Sequence, residues 1–166
     1  WVIGADHERN TAMEEPIIPG VVHDVGEAKM TLLGVPDRPG VSALLFESLA
    51  HANVNVDMIV QNTSIDGSTD ISFTLPLGDI ATALPILKKV GDEVGAKGVS
   101  QDENIVKLSL VGAGMKSSPG IAAKMFRVLA DNNVNIEMIS TSTIRISVVV
   151  ERNMLETAIR ALHTAF

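Results

Sequence analysis

The sequence predicts an α+β chain made of two copies of one βαββαβ unit, each an antiparallel sheet with its helices on one face. Three observations predict it. One block of residues recurs at a fixed offset. Within each block, apolar alternation gives way to helical spacing and then returns. Glycine, proline and asparagine punctuate the changes.

The repeat is visible residue by residue. Pro39-Gly40, Phe46, Leu49-Ala50 and Asn53-Val54-Asn55-Val56-Asp57-Met58-Ile59 recur 80 positions later. The second series is Pro119-Gly120, Phe126, Leu129-Ala130 and Asn133-Val134-Asn135-Ile136-Glu137-Met138-Ile139. Upstream, Leu32-Leu33-Gly34 matches Leu110-Val111-Gly112 at an offset of 78, so the second copy gains two residues in its Gly-rich loop. Downstream, Ile71-Ser72-Phe73 matches Ile146-Ser147-Val148 at an offset of 75, so its hairpin is five residues shorter.

Taken in order, Ala28 to Val35 and Ile105 to Val111 read as the first strand of each copy. A Pro-Gly pair follows, suited to a first helical turn because proline lacks only an N–H that has no helical partner there. Leu44, Leu45, Ser48, Leu49 and Ala52 give a helical stripe, as do Met125, Val128 and Leu129. Asn53 and Asn133 are expected to stop these helices. Asn55 to Gln61 and Asn135 to Thr141 read as strands. Asp66-Gly67-Ser68 signals a turn before a strand over Asp70 to Leu75. Asp79 is expected to cap a second helix with Ala83, Ile86, Leu87 and Val90 on one face, and Pro85 marks its true start or a kink. Ala96 to Ser100 closes the first copy. The second copy stops at Phe166 without its last strand, and the spare segment Ile17 to Val25 is expected to supply it. The domains are then 26–102, and 16–25 with 103–166, behind a flexible segment 1–15. A start at Trp1 suggests a trimmed or internally started fragment. The far face of each sheet, expected to carry Met58, Ile59, Ile71 and Phe73, calls for a second copy of the chain to cover it.

Composition narrows the function. Apolar residues are 46% and aromatics 3%, so the core is aliphatic. The formal net charge of -7 repels phosphate backbones and argues against nucleic acid. With no cysteine, there is no disulfide, thiolate metal site or cysteine nucleophile; a reducing cytoplasm fits. No apolar run approaches the ~20 residues that span a bilayer. His7, His23, His51 and His163 lack metal-ligand spacing. Gly112-Ala113-Gly114 follows a strand as a dinucleotide fingerprint does, but the next glycine, Gly120, comes too late. No catalytic constellation or cofactor site emerges.

The doubled unit with Gly34-Val35-Pro36-Asp37-Arg38-Pro39-Gly40 resembles the ACT domain, a ferredoxin-like βαββαβ fold that senses amino acids. Lys107-Leu108-Ser109-Leu110-Val111-Gly112-Ala113-Gly114-Met115, Glu137-Met138-Ile139-Ser140-Thr141-Ser142 and Arg145-Ile146-Ser147-Val148 are similar to the regulatory end of aspartate kinases. So are Val56-Asp57-Met58-Ile59-Val60-Gln61-Asn62 and Ala161-Leu162-His163. The resemblance runs from about Met13 onward. It is strongest to the type inhibited jointly by lysine and threonine, in which a regulatory subunit repeats the C-terminal part of the catalytic one.

The resemblance implies two interlocked ACT units, a homodimer, and a kinase catalytic subunit or domain as partner. It also implies a threonine site, with lysine as a second effector. That site is formed by Asp37, Gly40, Ser42 and Gln61 of a first unit with Asn135, Ile136, Thr141 and Ser142 of a second. Repeat symmetry adds an equivalent site from Asn55, Val56, Met115, Ser118 and Gly120. Thr143 stands where the family pattern has glutamate, and Ser118 where it has histidine. The alternative is a tandem amino-acid sensor of another pathway. Read without the resemblance, Asp37 is also an ordinary turn former, Asn55 and Asn135 strand-leading polar residues, and Gln61 an exposed strand residue.

Overall fold

A computed structural model describes residues 20–62, 66–112 and 120–166. The chain divides into a unit over Val25–Val106 and a unit in which residues 20–24 join Lys107–Phe166.

The first unit opens with β2, Glu27–Pro36, and α1, Val41–His51. It continues with β3, Ile59–Gln61, β4, Ser68–Pro76, α2, Ile80–Val94, and β5, Gly98–Asp102 (β1, Gly20–Asp24, belongs to the other unit). Its antiparallel sheet has the order β3-β4-β2-β5. Alternation sends Ala28, Met30 and Leu32 of β2, with Ile71, Phe73 and Leu75 of β4, into one core with Leu45 and Leu49 of α1 and Ala83, Leu87 and Val90 of α2. Phe46 meets Phe73 edge-on, with centroids 5.7 Å apart. The opposite face carries polar pairs: Thr31 lies across from Ser72, and their hydroxyls are 2.8 Å apart.

This corrects the expected side chains of the far face. Ile71 and Phe73 point into the helix-covered core with no exposed surface. Ile59 pairs with Phe73 in register, so it shares the helix side, where the open edge leaves it 50% exposed. Met58 alone keeps to expectation: it is buried and bonds through its backbone to Thr74, on the side opposite Phe73. The period of two was legible; which phase faced the helices was a tertiary matter.

The other unit repeats the plan. β1, Gly20–Asp24, is followed by β6, Ile105–Val111, α3, Gly120–Asp131, β7, Met138–Thr141, β8, Arg145–Glu151, and α4, Leu155–Ala165. Its sheet order is β1-β6-β8-β7, so β1 stands beside β6 as β5 stands beside β2. The registers agree in detail. Asp24 lies across from Lys107 as Asp102 does from Lys29, and Val22 lies across from Ser109 as Ser100 does from Thr31. The hydroxyl pair recurs as Ser109 and Ser147, 2.7 Å apart and buried.

Both first helices end alike. Asn53 and Asn133 adopt the left-handed conformation, with φ of 60° and 59°. The Asn53 and Val54 N–H groups donate to the Ala50 and Leu49 carbonyls; those of Asn133 and Val134 donate to Ala130 and Leu129. This is the Schellman stop, and asparagine tolerates it better than most side chains.

Several boundaries differ from expectation. Residues 55–58 and 135–137 precede β3 and β7 and are not strand. Pro39 lies outside α1, whose N-cap is Gly40 at φ +94°. Asp79 occupies the N-cap of α2 without a side-chain capping bond, after a short 3-10 turn over Leu77–Asp79. Pro85 neither starts nor ends α2. It removes one donor, while buried Ala83, Leu87 and Val90 hold the surrounding turns to the sheet.

Candidate functional site

Four first-unit residues singled out in the sequence, Asp37, Gly40, Ser42 and Gln61, converge on the start of α1. Chain direction at that point is set by a bulge in β2. The register against β4 shifts between Leu32 and Val35. Gly34 takes φ +61°, and its N–H donates to Asp70 Oδ1 at 2.8 Å. A Cβ there would lie 2.6 Å from the Lys97 side chain, so glycine fits both the turn and the approach.

Beyond the bulge, the Asp37 N–H donates to the Gly67 carbonyl at 3.0 Å. The loop before α1 is thereby tied to the turn between β3 and β4. Asp66 makes that turn: its Oδ1 accepts from the Ser68 backbone and hydroxyl. Those bonds favour the carboxylate and hold the Asp66 pKa below the usual carboxylate range. Thr69 Oγ1 donates to the Asn62 carbonyl on the other side of the turn. Gly67, part of the Asp66-Gly67-Ser68 turn signal, and Thr69, which no sequence motif marks, thus both support this loop.

At α1 itself, the Leu44 N–H donates to the Gly40 carbonyl, closing the first helical bond. The N–H groups before Leu44 come too early for an intrahelical partner, and no side chain caps them. Such a helix end carries partial positive charge and free donors, suited to a carboxylate. Ser42 Oγ donates to Gln61 Oε1 at 3.0 Å, joining α1 to edge strand β3. Gln61 lies across from Ile71 and therefore shares the helix side of the sheet. Asp37, Gly40 and Gln61 are exposed and Ser42 is half-buried. The first unit thus gathers amide donors, a carboxylate, a hydroxyl and a carboxamide around one helix start.

The second-unit candidates are placed separately. Asn135 is exposed and Ile136 half-buried, just after the helix stop at Asn133. Thr141 ends β7 across from Ile146. The Ser142 N–H donates to the Arg145 carbonyl at 2.8 Å, and its hydroxyl accepts from the Ile144 N–H at 3.4 Å. Ser142 therefore shapes the short hairpin that contains Thr143. Of the repeat-symmetric set, Asn55 is exposed, Val56 packs against the first-unit core and Gly120 opens α3. Met115 and Ser118 lie outside the described residues, as does most of the Gly112-Ala113-Gly114 loop.

Two cavities lie elsewhere. One of about 330 Å³ is lined by Lys88, Asp92 and Lys97 at the end of α2. Another of about 350 Å³ is lined by Asn132, Thr157 and Arg160 beside α4. Neither is lined by a predicted site residue. Among the described residues, no three His, Asp or Glu side chains could share a metal ion, and no helix is long and apolar enough to cross a membrane.

Comparison with known proteins agrees with this architecture. The ACT domain model matches residues 31–90 and 108–166. The chain is 49% identical to the aspartate kinase of Stutzerimonas stutzeri over 159 residues, covering 96% of this chain and 39% of that protein. It therefore spans about two fifths of the length of the curated relatives it matches. Among solved structures, it resembles a chain of aspartokinase alpha and beta subunits at 46% identity and a TM-score of 0.83, covering 89% of this chain and 97% of that one. It also resembles the ligand-free regulatory subunit of the Thermus thermophilus aspartate kinase at 38% identity and a TM-score of 0.85, covering 90% and 98%.

Proposed function

We propose, for a chain that belongs to the ACT domain family as the regulatory part of an aspartate kinase, that it binds a free amino acid at the start of α1 and so controls phosphorylation of L-aspartate by ATP. Threonine is the first candidate and lysine the second. The observation that carries the reading is the uncapped start of α1, with Asp37 and the Ser42–Gln61 pair beside it. The effector carboxylate takes the free amides of α1. The Asp37 carboxylate suits its ammonium group. Gln61 suits a side-chain hydroxyl, which can both donate and accept. Asn135, Ile136, Thr141 and Ser142 supply further contacts. Repeat symmetry assigns a second seat of the same kind to Asn55, Val56 and Gly120, its other members Met115 and Ser118 lying outside the described residues.

Control follows from differential binding. An effector shifts an equilibrium only by as much as it prefers one arrangement over the other. A tenfold preference moves the balance tenfold, so a modest number of contacts suffices. In this reading the working form is a homodimer in the cytoplasm, acting on a kinase catalytic subunit or domain. Its support is the same isoleucine left exposed on the edge strand of each unit, Ile59 at 50% and Ile139 at 45%. No cofactor or metal is needed.

Titration calorimetry of the purified chain against a panel of amino acids tests the proposal. Saturable heat with threonine or lysine, reduced at least tenfold in affinity by Asp37→Ala, is expected. A chain silent to both at millimolar concentration would exclude the effector role.

A further inference from the structure

We infer that Ser42 is a positioning residue that holds the oxygen end of the Gln61 carboxamide toward α1 and so presents Gln61 to the effector as a hydrogen-bond donor. The inference rests on the effector reading of the α1 start and adds a selectivity rule to it. A carboxamide has one accepting and one donating end, and a half-turn about its last bond exchanges them. Nothing intrinsic to an exposed glutamine at a strand edge chooses between the two.

Here the uncapped, partly positive start of α1 favours the oxygen end facing it, and the Ser42 hydroxyl donates to Oε1 at 3.0 Å. The accepting end is thereby occupied from the helix side, and both Nε2 hydrogens remain for a ligand. Ser42 is well placed to hold this bond, being half-buried in the first turn of α1. Gln61 is anchored from the other side by the pairing of β3 with β4. A donor fixed in advance costs less ordering when a ligand arrives. The selected ligand is an amino acid whose side chain offers an oxygen acceptor, and its isostere without that oxygen is disfavoured.

The second unit lacks the device. Eighty positions on, Ser42 becomes Ala122 and Gln61 becomes Thr141. Ala122 has no group that could make the bond, so this selectivity belongs to the first unit.

Threonine and valine form a suitable pair of ligands, because they are isosteric apart from the hydroxyl and share every backbone contact. Calorimetry on the whole chain should show Ser42→Ala lowering the threonine-over-valine preference roughly fivefold, the worth of one net hydrogen bond. Ser42→Thr keeps the hydroxyl and should retain the preference. Alanine is a good helix former, so the first variant leaves α1 intact. In nitrogen-15 spectra of the wild type, the Gln61 side-chain amide should shift with threonine and stay still with valine. An unchanged preference in Ser42→Ala, or a Gln61 amide indifferent to threonine while threonine binds, overturns this inference and leaves the effector reading standing. A wild-type chain that binds neither threonine nor lysine overturns both.

Discussion

The two units share a fold and differ in what they build on it. Their strand orders correspond position by position, and both first helices stop on a left-handed asparagine. Both also carry a hydroxyl pair across their two central strands. Yet the first unit packs Phe46 against Phe73, whereas the second has Val148 where Phe73 would stand. The first unit also bonds Ser42 to Gln61, where the second has Ala122 and Thr141. Repetition has kept what the backbone requires and released what the side chains do. Shared backbone features are therefore the scaffold, and the unshared side chains are where the units specialise.

The largest test of that difference is in the cores. Phe73 is the largest fully buried side chain of the first unit, and Phe73→Ala removes both its burial and its aromatic contact. A loss of about 3–5 kcal/mol is expected from chemical denaturation. Val148→Ala, at the matching position, deletes far less volume and should cost about 1–2 kcal/mol. Equal losses would show that the aromatic pair gives the first unit no packing advantage.

The shared hydroxyl pairs give the next effect and sharpen the comparison from the other side. Ser147→Ala leaves the buried Ser109 hydroxyl without its partner and should cost about 1–3 kcal/mol. Adding Ser109→Ala should recover part of that loss, because a satisfied pair is then replaced by two apolar groups. The half-buried Ser72 should be more forgiving, since water can reach it. Strictly additive losses in the double variant would mean that the two hydroxyls do not stabilise each other.

The smallest effect lies in the turns. Asp66, in the longer hairpin of the first unit, has a lowered pKa because the Ser68 backbone and then its hydroxyl donate to it. Its folded pKa lies below the unfolded value near 3.8, so the stabilisation is full above that value. It is lost as pH falls through the lower folded pKa. Asp66→Asn should therefore lower the melting temperature slightly at neutral pH, and the gap from wild type should close in strong acid. The second unit turns through Ser142 to Ile144 and has no such carboxylate, so its hairpin should show no matching dependence. A gap that widened toward low pH would contradict the assigned sign.

Much of the scaffold was legible in the sequence because its causes are local. The first strand, first helix and asparagine stop of each copy follow from short-range periodicity and backbone preference, and the repeat confirmed each copy against the other. Strand pairing was less accessible. Asn55 to Gln61 has the composition of a strand, but only Ile59–Gln61 finds partners on β4. Proline at position 85 reads as a helix start or a kink; it is not the start, because burial of neighbouring turns carries α2 through it. At the site, Asp37, Gly40, Ser42 and Gln61 could be singled out by resemblance. The bond between Ser42 and Gln61, 19 residues apart, could not.

By itself the sequence determined that this chain is one unit written twice, with the same helix stops and the same alternation, because those depend on neighbours three or four residues away. The tertiary structure decided which face of each sheet meets the helices, how far each edge strand pairs, and which end of Gln61 is held. These depend on groups brought together by folding, whose distance along the chain carries no record of their distance in space.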